Sequence, residues 1–143
     1  MPLKTAARTA TIIFTKNEPI EVFNAPVILG TSGITSLSGM TYFRVPSNMT
    51  INRVELQLFT KGSATSGILE MDVLKSSSLS VTATTIMSAR PSLDMATAVD
   101  YQTATGTINP SLASVSEGDY IRLDLTSIPA SLTSLHIRVY GTN

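Results

Sequence analysis

Apolar residues recur at every second position in several short stretches of this 143-residue chain. The clearest runs are residues 51–60, 68–75 and 120–126, and a fourth lies close to the C-terminus. A period of two predicts β-strands that bury one face and expose the other. The residues predicted to form the core are Val54, Leu56, Leu58, Leu69, Met71, Val73, Ile121, Leu123, Leu125, Leu135, Ile137 and Val139.

Weaker strand candidates lie between these runs, at residues 79–87 and 99–108, and Ser, Thr, Gly and Pro fill the gaps. No apolar stripe with a period of 3.6 residues extends over the ~11 residues that would indicate an amphipathic helix. The sequence therefore predicts an all-β fold, an antiparallel β-sandwich of eight or nine strands that is jelly-roll-like. An immunoglobulin-like strand order is the second possibility, without the cysteines and tryptophan typical of that family.

Residues 1–18 form a separate N-terminal segment, and residues 19–143 form the sandwich domain. The segment carries Lys4, Arg8 and Lys16 and contains no acidic residue before Glu18. Its β-branched run has the composition of a strand. Two interpretations are open: a frayed terminus, or an extended arm that contacts a partner. In the second, the partner-binding residues are Lys4, Arg8, Ile12, Ile13, Phe14 and Lys16.

Composition narrows the functional classes. Ten basic and ten acidic residues cancel, which argues against a general nucleic-acid binder. Charged residues make up 14% of the chain, below the ~25% of typical domains, while serine and threonine account for 38 residues. Such a surface suits a protein packed in an assembly, and equally a secreted β-module. The N-terminus lacks a signal-peptide pattern, and no apolar stretch has the length of a membrane span.

Candidate catalytic groups are few. His136 is the one histidine, and no G-x-S-x-G motif supplies a nucleophile for it. Glu70 and Asp72 lie two residues apart on one strand, a pairing that glycosidic chemistry can use. We expect them instead to form a solvated face, or to pair with Arg53 on the adjoining strand.

Binding motifs are equally sparse. Asp119 and Asp124 do not form a calcium-loop pattern, and residues 117–119 are those of a tight turn. Phe43, between Tyr42 and Arg44, is predicted to be a core residue rather than part of a nucleic-acid platform. The chain has no cysteine for thiolate metal sites. We therefore expect no catalytic, metal or cofactor site, and no enzymatic activity.

Several sequence segments, taken in their order along the chain, resemble those of the β-sandwich proteins of tailed-bacteriophage virions. The first is residues 42–51 (YFRVPSNMTI), followed by the alternating strand that contains Val54, Glu55 and Leu56. The resemblance continues, in the same order, through residues 69–75, residues 85–88 with Pro91, and residues 117–125. The resemblance covers roughly residues 40–141 and implies a structural or adhesive virion protein.

Two functions follow from this resemblance. The first is a capsid decoration or cement protein at subunit junctions on the capsid surface, with the major capsid protein and itself, as a homotrimer, as partners. The alternative is a tail-fibre or receptor-binding head that recognises host glycans; the chain lacks the heptads or repeats of a fibre stalk. A free carbohydrate-binding module is a third possibility. Neither nucleic acid nor a membrane is expected as a partner.

Overall fold

The computed structural model describes residues 36–79 and 82–143 with their side chains, except that of Met40, and residues 20–28 through their backbone. This part of the chain contains twelve strands and no helix. The strands are β1 (Ile20–Ile28), β2 (Leu37–Arg44), β3 (Met49–Thr60), β4 (Ile68–Ser76), β5 (Thr84–Thr85), β6 (Met87–Ala89), β7 (Ser92–Asp94), β8 (Thr103–Thr105), β9 (Thr107–Ile108), β10 (Ser114–Val115), β11 (Tyr120–Ser127) and β12 (Ser134–Thr142).

The strands form two five-stranded sheets and a two-stranded ribbon, and every pairing is antiparallel. The first sheet, which we call sheet A, has the order β1-β12-β3, and both β8 and β10 pair with the far side of β3. In the second, sheet B, the order is β2-β11-β4, and both β5 and β7 pair with β4. The first four strands therefore alternate between the sheets.

The core lies between the two sheets. All twelve residues predicted to be buried are within it, contributed by β3 and β12 of sheet A and by β4 and β11 of sheet B. The alternation along β3 changes phase between Ile51 and Val54, which are both buried. A register shift against β12, opposite Tyr140 and Gly141, accounts for this, because a β-bulge adds a residue to one strand.

The all-β antiparallel sandwich is confirmed, but the prediction of eight or nine strands is too low. Six of the twelve strands contain only two or three residues. Residues 79–87 and 99–108 were each expected to form one strand. Within the second range, β8 and β9 are separated by Gly106, whose N–H donates to Val54 O of sheet A (3.0 Å) before the chain turns to pair with β6. A strand of two or three residues is too short to show an alternation of apolar and polar positions in the sequence.

The β6–β9 ribbon closes one side of the sandwich. It links the two sheets because β6 follows β5 of sheet B and β9 follows β8 of sheet A. The strands β1 and β2, at the other ends of the two sheet orders, therefore lie along the opposite side. The loops at residues 61–67, 95–102 and 128–133 share one end of the sandwich, the loop end. Ile20 lies at the other end, opposite Gly141.

Candidate functional site

The predicted partner-binding residues lie outside the described part of the chain. Lys4, Arg8, Ile12, Ile13, Phe14 and Lys16 all belong to residues 1–19, so their role remains a prediction. The structure does show where this segment joins the sandwich, which is at Ile20 in β1. Within the described residues, β1 pairs with β12 on one side and with no strand on its other side.

The side of the sandwich formed by β1 and β2 offers long strand edges. These strands have nine and eight residues, and β2 pairs only with β11 among the described strands. The opposite edges are built from strands of two or three residues. A long edge presents a row of backbone donors and acceptors that can pair with a strand from another chain. This side is therefore the structure's candidate for strand addition.

The outer face of sheet B carries the carboxylates that the sequence singled out. Glu70 and Asp72 point to the same face of β4, as expected, and Arg90 lies across both. Its guanidinium is 2.9 Å from Asp72 Oδ2 and 3.4 Å from Glu70 Oε1. Thr85 Oγ1 donates to Asp72 Oδ1 (2.5 Å), and Thr126 Oγ1 donates to Glu70 Oε1 (2.7 Å).

Of the two expectations for this pair, the solvated face is wrong for Asp72, and the pairing with Arg53 is wrong for both carboxylates. Asp72 is buried rather than solvated, with 4% of its side chain exposed. Arg53 pairs with Glu55 instead (3.2 Å), because β3 and β4 follow each other in the chain but belong to different sheets. The cation comes from the connection after β6, and no spacing in the sequence indicated it. Arg90 holds that connection against β4, and Met71 N–H donates to Pro91 O beside it (3.2 Å).

Asp124 is a second buried carboxylate on this face, directly opposite Asp72 in the β4–β11 register. It accepts hydrogen bonds from Gly39 N (2.6 Å), Ser38 Oγ (3.3 Å) and Arg122 Nη2 (2.8 Å). The β2–β11 register is irregular here, and Gly39 has a φ of 63°, so the carboxylate fixes an irregular stretch of β2. Asp124 therefore has a structural role. Its hydrogen bonds, and those of Asp72 to Thr85 and Arg90, offset the repulsion between these two neighbouring carboxylates.

The two arginines are permanent cations. The hydrogen bond to Asp124 raises the pKa of Arg122 above its ordinary value, against partial burial, which lowers it. For Arg90, burial lowers the pKa, but attraction to Asp72 and Glu70 outweighs it, and the pKa is raised. Each carboxylate thus has a fixed positive partner. Among the described residues, no three His, Cys, Asp or Glu side chains are grouped as a metal ion would require.

The outer face of sheet A carries a second polar network. Glu55 receives both Arg53 (3.2 Å) and Arg138 (3.4 Å), and the Arg53 guanidinium lies 3.9 Å from the centre of the Tyr140 ring. Arg138 also donates to Gln57. His136 is on this same face, opposite Gln57 in the β3–β12 register. These contacts tie β3 to β12 across the sheet.

An exposed apolar patch lies where sheet A meets the loop end. It consists of Phe59, Val99 and Tyr101, which are 52%, 63% and 64% exposed. The Phe59 and Tyr101 rings meet edge to face, with centroids 5.4 Å apart. The sequence pattern did not indicate this patch, because residues 99–108 were expected to form a strand. The sequence feature that could have indicated the patch is the pair of large apolar residues, Val99 and Tyr101, on either side of Asp100.

Tyr101 is held in an unfavourable backbone conformation. It has a φ of 66° at the third position of a turn closed by Gln102 N–H donating to Val99 O (3.2 Å). Left-handed backbone costs a non-glycine residue about 1–2 kcal/mol, and glycine is the usual residue here. Two bonds to β3 hold the turn: Gln57 Nε2 donates to Tyr101 O (3.1 Å), and Leu58 N–H donates to Gln102 O (2.8 Å). The fold thus fixes an aromatic ring in solvent at a cost.

Comparisons with known proteins give a fold relationship. The sequence matches no protein-family model, and it matches no curated protein. Among solved structures, the chain resembles one in the capsid of Ralstonia phage GP4, with a TM-score of 0.56 and 12% identity. The alignment covers 97% of this chain and 94% of that one, so the two chains have similar lengths and a similar fold. Separately, no helix among the described residues has the length and apolar character needed to cross a membrane.

Proposed function

We propose that this protein is a structural virion protein that decorates and cements a bacteriophage capsid by binding at subunit junctions. The observation that supports it most is the end-to-end fold likeness to a chain of a phage capsid. Nearly all of both chains take part in the alignment, so the likeness is not confined to one part of either chain. The capsid surface would be its location, and the major capsid protein its main partner.

Three features of this chain support a role in assembly. The strand order, with the first four long strands alternating between facing sheets, is consistent with a jelly roll, an architecture used in capsids. The edges of β1 and β2 suit strand addition. The low charge and high Ser/Thr content suit a surface that is packed against other subunits.

The protein would act by binding rather than by catalysis. The carboxylate pair that glycosidic chemistry could use is bridged by Arg90, and Thr85 and Thr126 donate to its oxygens. Within this proposal the self-association is a homotrimer, and residues 1–18 act as an arm that binds neighbouring subunits. The arm carries three cations that can meet acidic surfaces.

The test is reconstitution on capsids assembled without this protein. Purified full-length protein is added, and its copy number per shell is measured by gel densitometry and by electron cryomicroscopy. We expect saturable binding at fixed positions on the lattice and a higher temperature of shell disruption. Binding to host cells or to a glycan array, with no binding to shells, would contradict the proposal and support the tail-fibre head instead.

A further inference from the structure

We propose that the apolar patch of Phe59, Val99 and Tyr101 receives the N-terminal segment of a neighbouring copy, with Ile12, Ile13 and Phe14 as the inserted residues. This inference rests on the proposed self-association, and it names the contact that would hold neighbouring copies together. It starts from the strained turn at Tyr101. Strain of this kind persists only where the surrounding structure enforces it, and it points to a function for the residue held.

The patch has the properties of a prepared binding site. Two aromatic rings and a valine are exposed, and hydrogen bonds from the Gln57 side chain and the Leu58 backbone fix the turn before any partner binds. Asp100 Oδ1 also accepts from Lys61 N (2.9 Å), and Val99 N–H donates to Gln102 Oε1 (3.1 Å). Pre-organised aromatic anchors are typical of the residues that dominate protein interfaces.

The direction of β1 indicates that the patch binds the N-terminal segment of a neighbouring copy rather than that of its own copy. Ile20 lies opposite Gly141, and Ile28 lies opposite Ser134 at the loop end. Ile20, the first described residue, is therefore at the end of the sandwich far from the patch of the same copy. Phe59 lies eight residues along β3 from Ile51, about 27 Å at 3.4 Å per residue. Phe14 precedes Ile20 by six residues, which span at most ~22 Å, so Phe14 falls short of the patch of its own copy; Ile12, eight residues before Ile20, spans that distance only when the chain is fully extended.

A contact from one end of a copy to the other end of the next is head-to-tail. Such contacts generate a ring where the rotation closes, and a trimer is a small ring of this kind. The local charges agree with this partner. The turn that forms the patch carries the exposed carboxylate of Asp100, and Asp94, at the end of β7, is a second exposed carboxylate six residues earlier. The ammonium group of Lys61 donates to Met95 O (3.5 Å). The segment contributes Lys4, Arg8 and Lys16 and no acid before Glu18.

The key variant is Tyr101→Gly in the full-length chain. Glycine adopts a φ of 66° without strain, so this change removes the ring and should leave the unfolding temperature unchanged or raised. Ser131→Gly is the matched control, since Ser131 is the other described non-glycine residue with positive φ (64°), is exposed, and lies in the loop before β12. Both variants relieve strain, and only one removes part of the patch.

The experiment mixes copies labelled with light and heavy isotopes, with the photocrosslinker p-benzoylphenylalanine in place of Phe14. We expect crosslinks that join light to heavy copies and map to residues 57–61 and 99–103. Tyr101→Gly should reduce these crosslinks and the self-association constant about tenfold or more, and Ser131→Gly should change neither. Crosslinks confined to one copy, crosslinks to another surface, or an unchanged yield in Tyr101→Gly would overturn the inference.

Shell binding is scored separately on the same proteins. A protein that binds shells while its residue 14 crosslinks only to the major capsid protein would overturn this inference and leave the proposed function standing. Crosslinks between copies at the patch, together with failure to bind any shell, would overturn the proposed function and support the inference.

Discussion

Asp72 illustrates how a single residue on the outside of a sheet can depend on distant parts of the chain. A buried carboxylate is costly unless it is paired and hydrogen-bonded. Here Thr85 and Arg90, from the segment that follows β4, supply both conditions. The pKa of Arg90 is raised above its ordinary value, so the stability that this ion pair adds is fully present throughout the physiological pH range and is lost only in strong alkali. The pair is therefore a fixed structural contact and not a pH switch.

Removing the cation should be more damaging than its exposure suggests. Although 44% of the Arg90 side chain is exposed, Arg90→Leu leaves the Asp72 charge buried with Thr85 alone. We expect a loss of about 1–3 kcal/mol in the free energy of unfolding. Urea denaturation of Arg90→Leu, Asp72→Asn and the double variant measures this loss and the coupling between the two residues.

Arg53→Leu is the control for that cycle, because Arg53 pairs with Glu55 on an exposed face and should cost no more than about 1 kcal/mol. If Arg90→Leu costs no more than this control, the bridge contributes nothing beyond a surface ion pair.

At the scale of elements, what the sequence could predict depended on strand length. In β3, β4, β11 and β12 one face lies in the core over eight or more residues, so the alternation identified every predicted core residue. Strands such as β5 and β9 have two residues each and are strands only because a neighbour pairs with them. The Arg53 prediction was wrong for a related reason: neighbours in the chain are not neighbours in a fold whose strands alternate between sheets.

The crossing from sheet A to the ribbon offers an element-scale test at Gly106. A methyl group there would lie 2.7 Å from Pro91 Cδ and 3.1 Å from Ala89 O, and would also overlap Met87 Cε. Gly106→Ala should therefore push β9 away from β6 and cost about 1–3 kcal/mol in unfolding free energy. Urea denaturation measures this cost, and Thr105→Ala, at an exposed position of β8, is a control that should change the midpoint little. Equal midpoints for the two variants would mean that the ribbon moves to accommodate the methyl group without loss of stability.

At the scale of the whole molecule, the two sides of the sandwich differ in what they offer. The ribbon side is closed by short strands that bond to one another, whereas β1 and β2 have long edges with no second partner in the described structure. The described residues thus combine a core enclosed between two sheets with long strand edges and an exposed apolar patch. The proposed role in assembly would use these exposed features as contacts with other chains.

The last prediction concerns residues 1–18 and separates folding from attachment. Deleting residues 1–8 removes Lys4 and Arg8 but none of the described core, so the unfolding temperature should stay the same. Occupancy on undecorated shells should fall. The deficit should narrow as salt is raised, because the screening length drops from about 10 Å at 0.1 M to about 3 Å at 1 M and weakens attachment of the intact chain. A full-length variant with Lys4→Gln and Arg8→Gln should reproduce the salt dependence if charge alone is responsible. Equal occupancy and equal unfolding temperature for the truncated and intact proteins would show that residues 1–8 play no part in attachment.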